Sequence, residues 1–138
     1  MMMLRVYLIM LLLFVTLSAE KFVLITNREN PIKSLNKEEI KQIYLKKRRF
    51  WGETKLTTLN LPPSSTLRQD FERDILGMRA KELENYWMRQ HYKGQRPPYR
   101  LKSPQSVLMF VKKVKGAIGY IPLSLLDKDV RVIYKGTI

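Results

Sequence analysis

The sequence predicts an α/β domain in which a mixed, mostly parallel sheet is flanked by helices. Short apolar segments alternate along the chain with segments whose apolar residues recur every three to four positions. Strands that are separated by helices return to the sheet largely in parallel and are covered on both faces. A length of 138 residues corresponds to about one such domain.

The first strand and the first helix are predicted within the first third of the chain. Residues 21–26 form an apolar segment that fits a buried strand. Asn36 is the predicted N-cap of the helix, and Glu39 three residues later completes a capping box. Leu35, just before the cap, is placed to contact Ile40 across it. The buried face of this helix is predicted to contain Ile40, Ile43 and Tyr44.

A second strand and a second helix follow. The alternating apolar and polar residues of 55–61 predict a half-buried strand, which the next two prolines end. A helix is predicted over 65–76, with Gly77 as its stop. Thr66 and Gln69 have the spacing of a second capping box. The buried stripe of this helix is predicted to contain Leu67, Phe71 and Ile75.

The second half of the chain adds two helices and two strands. Ser103 and Pro104 are the residue types preferred at an N-cap and at the first helical position, so they mark the start of the last helix. The preceding helix is predicted to bury apolar side chains, namely Leu83, Tyr86 and Trp87. The predicted segments are, in order, a helix over 80–91, a loop over 95–99, a helix from Ser103 to Gly116, and strands over 117–121 and 130–134.

Three hydroxyls and a guanidinium are grouped where the extended segment turns into the second helix. Ser64, Ser65, Thr66 and Arg68 supply these groups. The first N–H groups of a helix have no intrahelical partner, and the positive end of the helix dipole lies there. Such a place binds phosphate, sulfate or a carboxylate. The alternative is that the hydroxyls only cap the helix and that Arg68 pairs with Glu72, four residues on.

The N-terminal residues have the pattern of a cleaved secretory signal peptide over 1–19. A short positive start is followed by an apolar run over 6–17 and by a small residue, Ala19, at the predicted cleavage point. The run has about 12 residues, whereas a spanning helix needs about 20. Retention of this segment as a membrane anchor is the alternative. The predicted mature domain is 20–138, in an exported chain.

The residue inventory argues against an enzyme and against a metal or cofactor site. The chain has no cysteine and a single histidine, His91, so thiol chemistry and a zinc cluster are excluded. His91 falls at the end of a predicted helix, where a cation favours the negative end of the dipole. The acidic residues are spread among lysines at helical spacing typical of solvated faces.

The net charge of +14 predicts an acidic partner. Anionic lipid headgroups, cell-wall polyanions and acidic proteins all satisfy this charge, whereas nucleic acid is disfavoured for an exported chain. The run 46–49 has a solvated loop as its simplest interpretation. The basic residues form three clusters, namely Lys46, Lys47, Arg48 and Arg49; Lys93, Arg96, Arg100 and Lys102; and Lys112, Lys113 and Lys115.

Several motifs occur in the order and approximate spacing that resembles periplasmic phosphate-binding proteins, the solute-binding subunits of phosphate ABC transporters. The motifs are Asn30-Pro31, Leu35 to Leu45, Phe50-Trp51, Ser64 to Phe71 and Gly116-Ala117-Ile118-Gly119-Tyr120, of which the last is the most specific. The resemblance implies a type 2 periplasmic-binding-protein-like fold, with Trp51 and Tyr120 in or against the core. It also implies a phosphate site, because Ser64-Ser65-Thr66 with Leu67-Arg68 is similar to the family's Ser-Gly-Thr-Arg ligands. Ser65 stands in for that glycine, Leu67 is an extra residue, and Lys46 replaces the glycine usual after the first helix.

Length then implies one lobe of that two-lobed fold, resembling the central lobe. A single lobe offers half of a cleft, so a second copy or another subunit would have to complete it. Two functions remain open. The first is a reduced solute-binding module that holds phosphate or another oxyanion weakly. The second is a periplasmic interaction or scaffold protein with a vestigial ligand site, which docks an acidic partner or an anionic envelope surface.

Overall fold

The computed structural model describes residues 21–136, and the predicted signal peptide lies outside the described residues. The strands are β1 (Phe22–Asn27), β2 (Phe50–Trp51), β3 (Thr54–Lys55), β4 (Thr57–Asn60), β5 (Tyr99–Arg100), β6 (Ala117–Pro122) and β7 (Val130–Lys135). The helices are α1 (Lys37–Tyr44), α2 (Thr66–Phe71), α3 (Ala80–Tyr92) and α4 (Pro104–Lys113), with a π-helical turn over Glu72–Leu76 and a 3-10 turn over Leu123–Leu125.

Five strands form one sheet in the order β5-β4-β6-β1-β7, while β2 and β3 pair as a separate hairpin. Strand β1 is antiparallel to both of its neighbours, β6 and β7. The pairs β4–β5 and β4–β6 are parallel. Four of the five strands therefore run in one direction, which confirms the mixed, mostly parallel sheet flanked by helices.

The core lies on both faces of the adjacent interior strands β1 and β6. Every residue of β1 is buried, as are five of the six residues of β6. Side chains from four elements form an aromatic cluster, in which Phe71 stacks on Tyr120 with ring centroids 4.2 Å apart. Phe22 and Tyr44 complete the cluster. Tyr120 is thus buried as expected, and Trp51 packs against the core while half-buried.

The predicted cap of the first helix is confirmed. The Asn36 side chain accepts a hydrogen bond from the Glu39 N–H at 2.8 Å, and the Glu39 carboxylate accepts one from the Asn36 N–H at 3.1 Å. Lys46 follows the helix with φ of 62°, the left-handed conformation that glycine adopts most easily. A lysine therefore holds the backbone position for which the resemblance implies a glycine.

The capping box predicted at Thr66 and Gln69 is wrong. Ser65 has the extended backbone of an N-cap, and its side chain accepts a hydrogen bond from the Arg68 N–H at 3.2 Å. Thr66 is already the first helical residue, so its hydroxyl cannot take that place. The Gln69 amide instead donates to the Pro63 carbonyl at 3.2 Å. The predicted stop at Gly77 is correct, since this residue adopts the left-handed conformation with φ of 60° after the π-helical turn.

Two predicted boundaries change because of pairing between distant segments. The strand predicted over 55–61 is divided, since Lys55 pairs with Phe50 in the hairpin and only 57–60 joins the sheet. The predicted loop 95–99 ends in a short edge strand, in which Tyr99 pairs with Leu59. In α3, Leu83 is buried, and the other two predicted core residues, Tyr86 and Trp87, are half-buried.

Candidate functional site

The segment that joins β4 to α2 is held in place by its own backbone. Leu61 is buried after the strand, and the two prolines that follow end the sheet pairing. The Ser65 N–H then donates to the Pro62 carbonyl at 2.9 Å, which closes a turn. The turn delivers Ser65 to the N-cap of α2, at the end of the sheet where β4 terminates.

Three of the four predicted site residues lie together. Ser64, Ser65 and Thr66 line one shallow concavity of about 570 Å³, which is completed by Leu67, Asp70, Pro104 and Pro122. Ser64 and Thr66 are exposed and Ser65 is half-buried. Because Pro122 ends β6, the concavity lies at the carboxyl ends of parallel strands, where α/β folds commonly bind ligands.

Arg68 is directed into a different groove. Its guanidinium Nη1 donates to the Leu61 carbonyl at 2.8 Å, and its Nε pairs with the Glu72 carboxylate. Both side chains are mostly buried, with 19% and 11% of their surface exposed. The groove has a volume of about 560 Å³, and it is lined by Asn60, Pro63, Arg68, Gln69, Glu72, Ala80, Leu83, Glu84, Trp87, Pro97, Pro98 and Arg100. The ion pair matches the alternative that helical spacing predicts for Arg68.

A buried network of hydrogen bonds lies beneath the segment that joins β4 to α2, and the sequence does not predict it. The Asn60 side-chain oxygen accepts hydrogen bonds from the Leu61 N–H at 3.0 Å and from the Tyr120 hydroxyl. Since Arg68 binds the Leu61 carbonyl, the network links the guanidinium to the aromatic cluster. A polar asparagine at the end of a strand, before two prolines, was the available signal for Asn60.

Burial raises the pKa of both core tyrosine hydroxyls, Tyr44 and Tyr120. In the folded chain they therefore stay protonated as hydrogen-bond donors. The Tyr44 hydroxyl donates to the Leu59 carbonyl at 2.8 Å. The Tyr44 phenol thus connects α1 to β4, and the Tyr120 phenol connects β6 to Asn60 at the end of β4. Ionisation of either buried phenol would cost free energy.

The raised pKa values predict loss of stability in alkali. The unfolded tyrosines release their protons above about pH 10, whereas the folded ones retain them. The free energy of unfolding should therefore be steady below about pH 10 and fall as the pH rises further, by up to about 1.4 kcal/mol per pH unit for each tyrosine. Urea denaturation at a series of pH values below and above about 10 measures this fall in the free energy of unfolding. Tyr44→Phe should reduce the slope, whereas the same change at Tyr92, which is 85% exposed, should leave it unaltered.

The predicted position of His91 is confirmed, since it is exposed in the last turn of α3. Within residues 21–136, no group of three or more acidic or histidine side chains is arranged to hold a metal ion. In the same range, none of the helices combines the length and the apolar character needed to cross a membrane.

The sequence matches no protein family model and no curated protein. Solved structures do match, with probability 1.00. A phosphate ABC transporter substrate-binding protein with bound phosphate from Clostridium perfringens has 25% identity and a TM-score of 0.69. The alignment covers 83% of this chain and 44% of that one.

Two further solved structures match this chain over a similar share of its length. An ABC-type phosphate transport receptor from Vibrio cholerae has 19% identity and a TM-score of 0.66, with 83% and 45% of the two chains covered. PstS from Borrelia burgdorferi has 17% identity and a TM-score of 0.65, with 83% and 46% covered. This chain thus spans less than half of each of these proteins. The resemblance inferred from the motifs is confirmed, and the described residues have the fold of a single lobe of the type 2 phosphate-binding proteins.

Proposed function

We propose that the chain is a periplasmic solute-binding-like module related to phosphate transport, which holds phosphate or another oxyanion weakly at the start of α2. The observation that carries the proposal is the grouping of Ser64, Ser65 and Thr66 in one concavity of a phosphate-binding-protein fold. A protein with that fold has been solved with phosphate bound. In this proposal the signal peptide 1–19 directs export and is removed.

The chemistry of the concavity suits an oxyanion of modest affinity. Each hydroxyl can donate one hydrogen bond, and Ser65 can do so while it accepts from the Arg68 N–H. Arg68 adds positive charge from the adjoining groove. Two features lower the affinity: the Glu72 carboxylate neutralises that charge, and Asp70 lines the concavity itself.

A single lobe leaves the ligand open to water on one side. In solute-binding proteins the ligand lies between two lobes that close on it. We propose that a second copy or another periplasmic subunit completes the cleft. No catalytic group and no cofactor is part of this function.

The Arg68–Glu72 pair also favours a second candidate function. The guanidinium is satisfied by Glu72 and by the Leu61 carbonyl, which is how an arginine without a ligand would be stabilised. The chain would then be a non-catalytic periplasmic interaction or scaffold protein with a vestigial site. Its positive charge would dock an acidic protein or an anionic envelope surface, and nucleic acid is disfavoured as a partner.

Phosphate titration of the domain 20–138 by NMR tests the first function. We expect amide shifts in residues 64–68 at millimolar phosphate. Arg68→Ala should weaken them, because its charge acts on the concavity from the adjoining groove, and thermal denaturation checks that the variant remains folded. Arg79→Ala is the matched control, because Arg79 is exposed before α3 and lines neither the concavity nor the groove that Arg68 enters. A wild-type spectrum that does not respond to phosphate or sulfate would reject oxyanion binding and leave the interaction function.

A further inference from the structure

A basic and aromatic surface lies at one end of the sheet, opposite the end that carries the hydroxyl concavity. The parallel strands β4 and β6 start at this end of the sheet and terminate at the concavity. We call this surface the basic edge and define it by Lys46, Lys47, Arg48, Arg49, Lys55, Lys113 and Lys115, together with Phe50 and Trp51. It belongs to the hairpin β2–β3, to the loop before it, and to the end of α4.

The fold joins two basic clusters that are more than 60 residues apart in sequence. The Thr57 N–H donates to the Gly116 carbonyl at 2.8 Å, directly after the hairpin. Gly116 lies against the hairpin backbone so closely that a Cβ there would be 1.9 Å from the Lys55 carbonyl oxygen. Lys115 is therefore held beside Lys55, and the first and third clusters form one surface.

Within residues 21–136, no cation of the basic edge takes part in an ion pair. Among the described residues, the ion pairs are Arg68–Glu72, Arg73–Asp70, Arg73–Asp74 and Lys112–Asp127, and none includes a residue of the basic edge. Burial lowers the pKa of Lys46, and the nearby charges of Lys55 and Arg49 lower it further. Like charges are therefore held close together, so an anionic surface placed against them would relieve their repulsion.

Two aromatic rings lie among these cations. Phe50 is 49% exposed and pairs across the hairpin with Lys55, so the two side chains share one face. The Arg48 guanidinium lies 3.8 Å from the centre of the Trp51 ring. Aromatic rings beside basic residues are typical of proteins that rest at the headgroup level of a membrane.

We propose that the basic edge docks the protein on an anionic phospholipid surface. Lipid headgroups accept several cations and an exposed ring without requiring a shaped partner, and neither the hydroxyl concavity nor the grooves around α2 and α3 include a residue of the hairpin. Because the hydroxyl concavity lies at the other end of β4, a docked molecule keeps that site facing the solvent. The proposal does not depend on oxyanion binding at Ser64 to Thr66.

Cosedimentation with vesicles tests the proposal, using phosphatidylcholine alone or mixed with phosphatidylglycerol. The wild-type domain should bind only the mixed vesicles, and about 0.5 M sodium chloride should release it. The triple variant Lys47→Ser, Arg49→Ser and Lys115→Ser should lower the partition coefficient about 100-fold, at roughly tenfold or less per charge removed. The matched control is the triple variant Lys21→Ser, Lys102→Ser and Lys135→Ser. It removes the same charge from exposed positions at the other end of the sheet, where β4 and β6 terminate.

Three further measurements distinguish docking through the basic edge from binding at another part of the protein. Arg68→Ala should bind the vesicles as the wild type does, and free phosphate should compete no better than chloride at equal ionic strength. In a Trp87→Phe background, the fluorescence of Trp51 should shift to shorter wavelength on binding. Equal losses in the two triple variants, tighter binding to duplex DNA than to vesicles, or no binding to mixed vesicles would each overturn the proposal.

Discussion

Replacing Phe71 with alanine is expected to lower the free energy of unfolding by about 3–5 kcal/mol. Phe71 is only 1% exposed, stacks on Tyr120, and contacts the Tyr44 ring at a centroid distance of 4.7 Å. Truncation removes these contacts and leaves a cavity where α2 meets the sheet. A domain of this size has a total stability of about 5–15 kcal/mol, so the loss is a large fraction of it.

Chemical denaturation of the domain 20–138 measures this loss. Phe50→Ala is the matched control, because it makes the same chemical change at a side chain that is half exposed, and it should cost below about 1 kcal/mol. Phe71→Leu should fall between the two, since it retains most of the buried volume. Similar losses for Phe71→Ala and Phe50→Ala would show that the aromatic cluster does not dominate the core.

The elements that the sequence predicts well are those encoded by neighbouring residues. The capping box at Asn36 and Glu39 involves positions three apart, and Ser103 with Pro104 starts α4 by the same local rule. Gly77 ends its helical segment because a left-handed residue is needed there. These features depend on backbone groups within one helical turn, so no knowledge of the fold is required.

The elements that the sequence does not predict depend on distant partners. Strand β5 exists because Tyr99 pairs with Leu59, forty positions earlier in the chain. The hairpin forms because Phe50 pairs with Lys55, which the alternating pattern assigns to one longer strand, and Trp51 pairs with Thr54 just before it. Strands of two residues carry too few side chains for periodicity to mark them.

The candidate site also combines features encoded by neighbouring residues with features that depend on distant ones. The placement of Ser64, Ser65 and Thr66 at the start of a helix followed from the prolines and the apolar stripe. Local spacing also allowed the pair between Arg68 and Glu72. Spacing could not decide that the guanidinium enters a separate groove. It does so because it donates to the Leu61 carbonyl. The position of Leu61 is itself set by hydrogen bonds from its N–H to the Asn60 side chain and to the Tyr120 hydroxyl, and Tyr120 is distant in sequence.

The Arg68–Glu72 pair leads to a prediction that separates the two candidate functions. Glu72 is buried, and its carboxylate neutralises the cation that an oxyanion would need. Glu72→Gln keeps the shape of the side chain and a hydrogen-bond acceptor for Arg68, but it removes the negative charge. If Ser64 to Thr66 bind phosphate, the variant should bind it about tenfold more tightly, equivalent to about 1.4 kcal/mol.

NMR titration with phosphate measures the change, and thermal denaturation confirms that the variant remains folded. Asp74→Asn is the matched control, since it makes the same charge change two residues away, at a carboxylate that pairs with exposed Arg73. It should alter phosphate affinity by less than about twofold, because the Asp74 carboxylate is paired with Arg73 and lies outside the concavity. Combining Glu72→Gln with Arg68→Ala should remove the gain if the freed guanidinium is its source. A Glu72→Gln domain that gains no affinity for phosphate would show that Arg68 does not serve an oxyanion, which favours the interaction function.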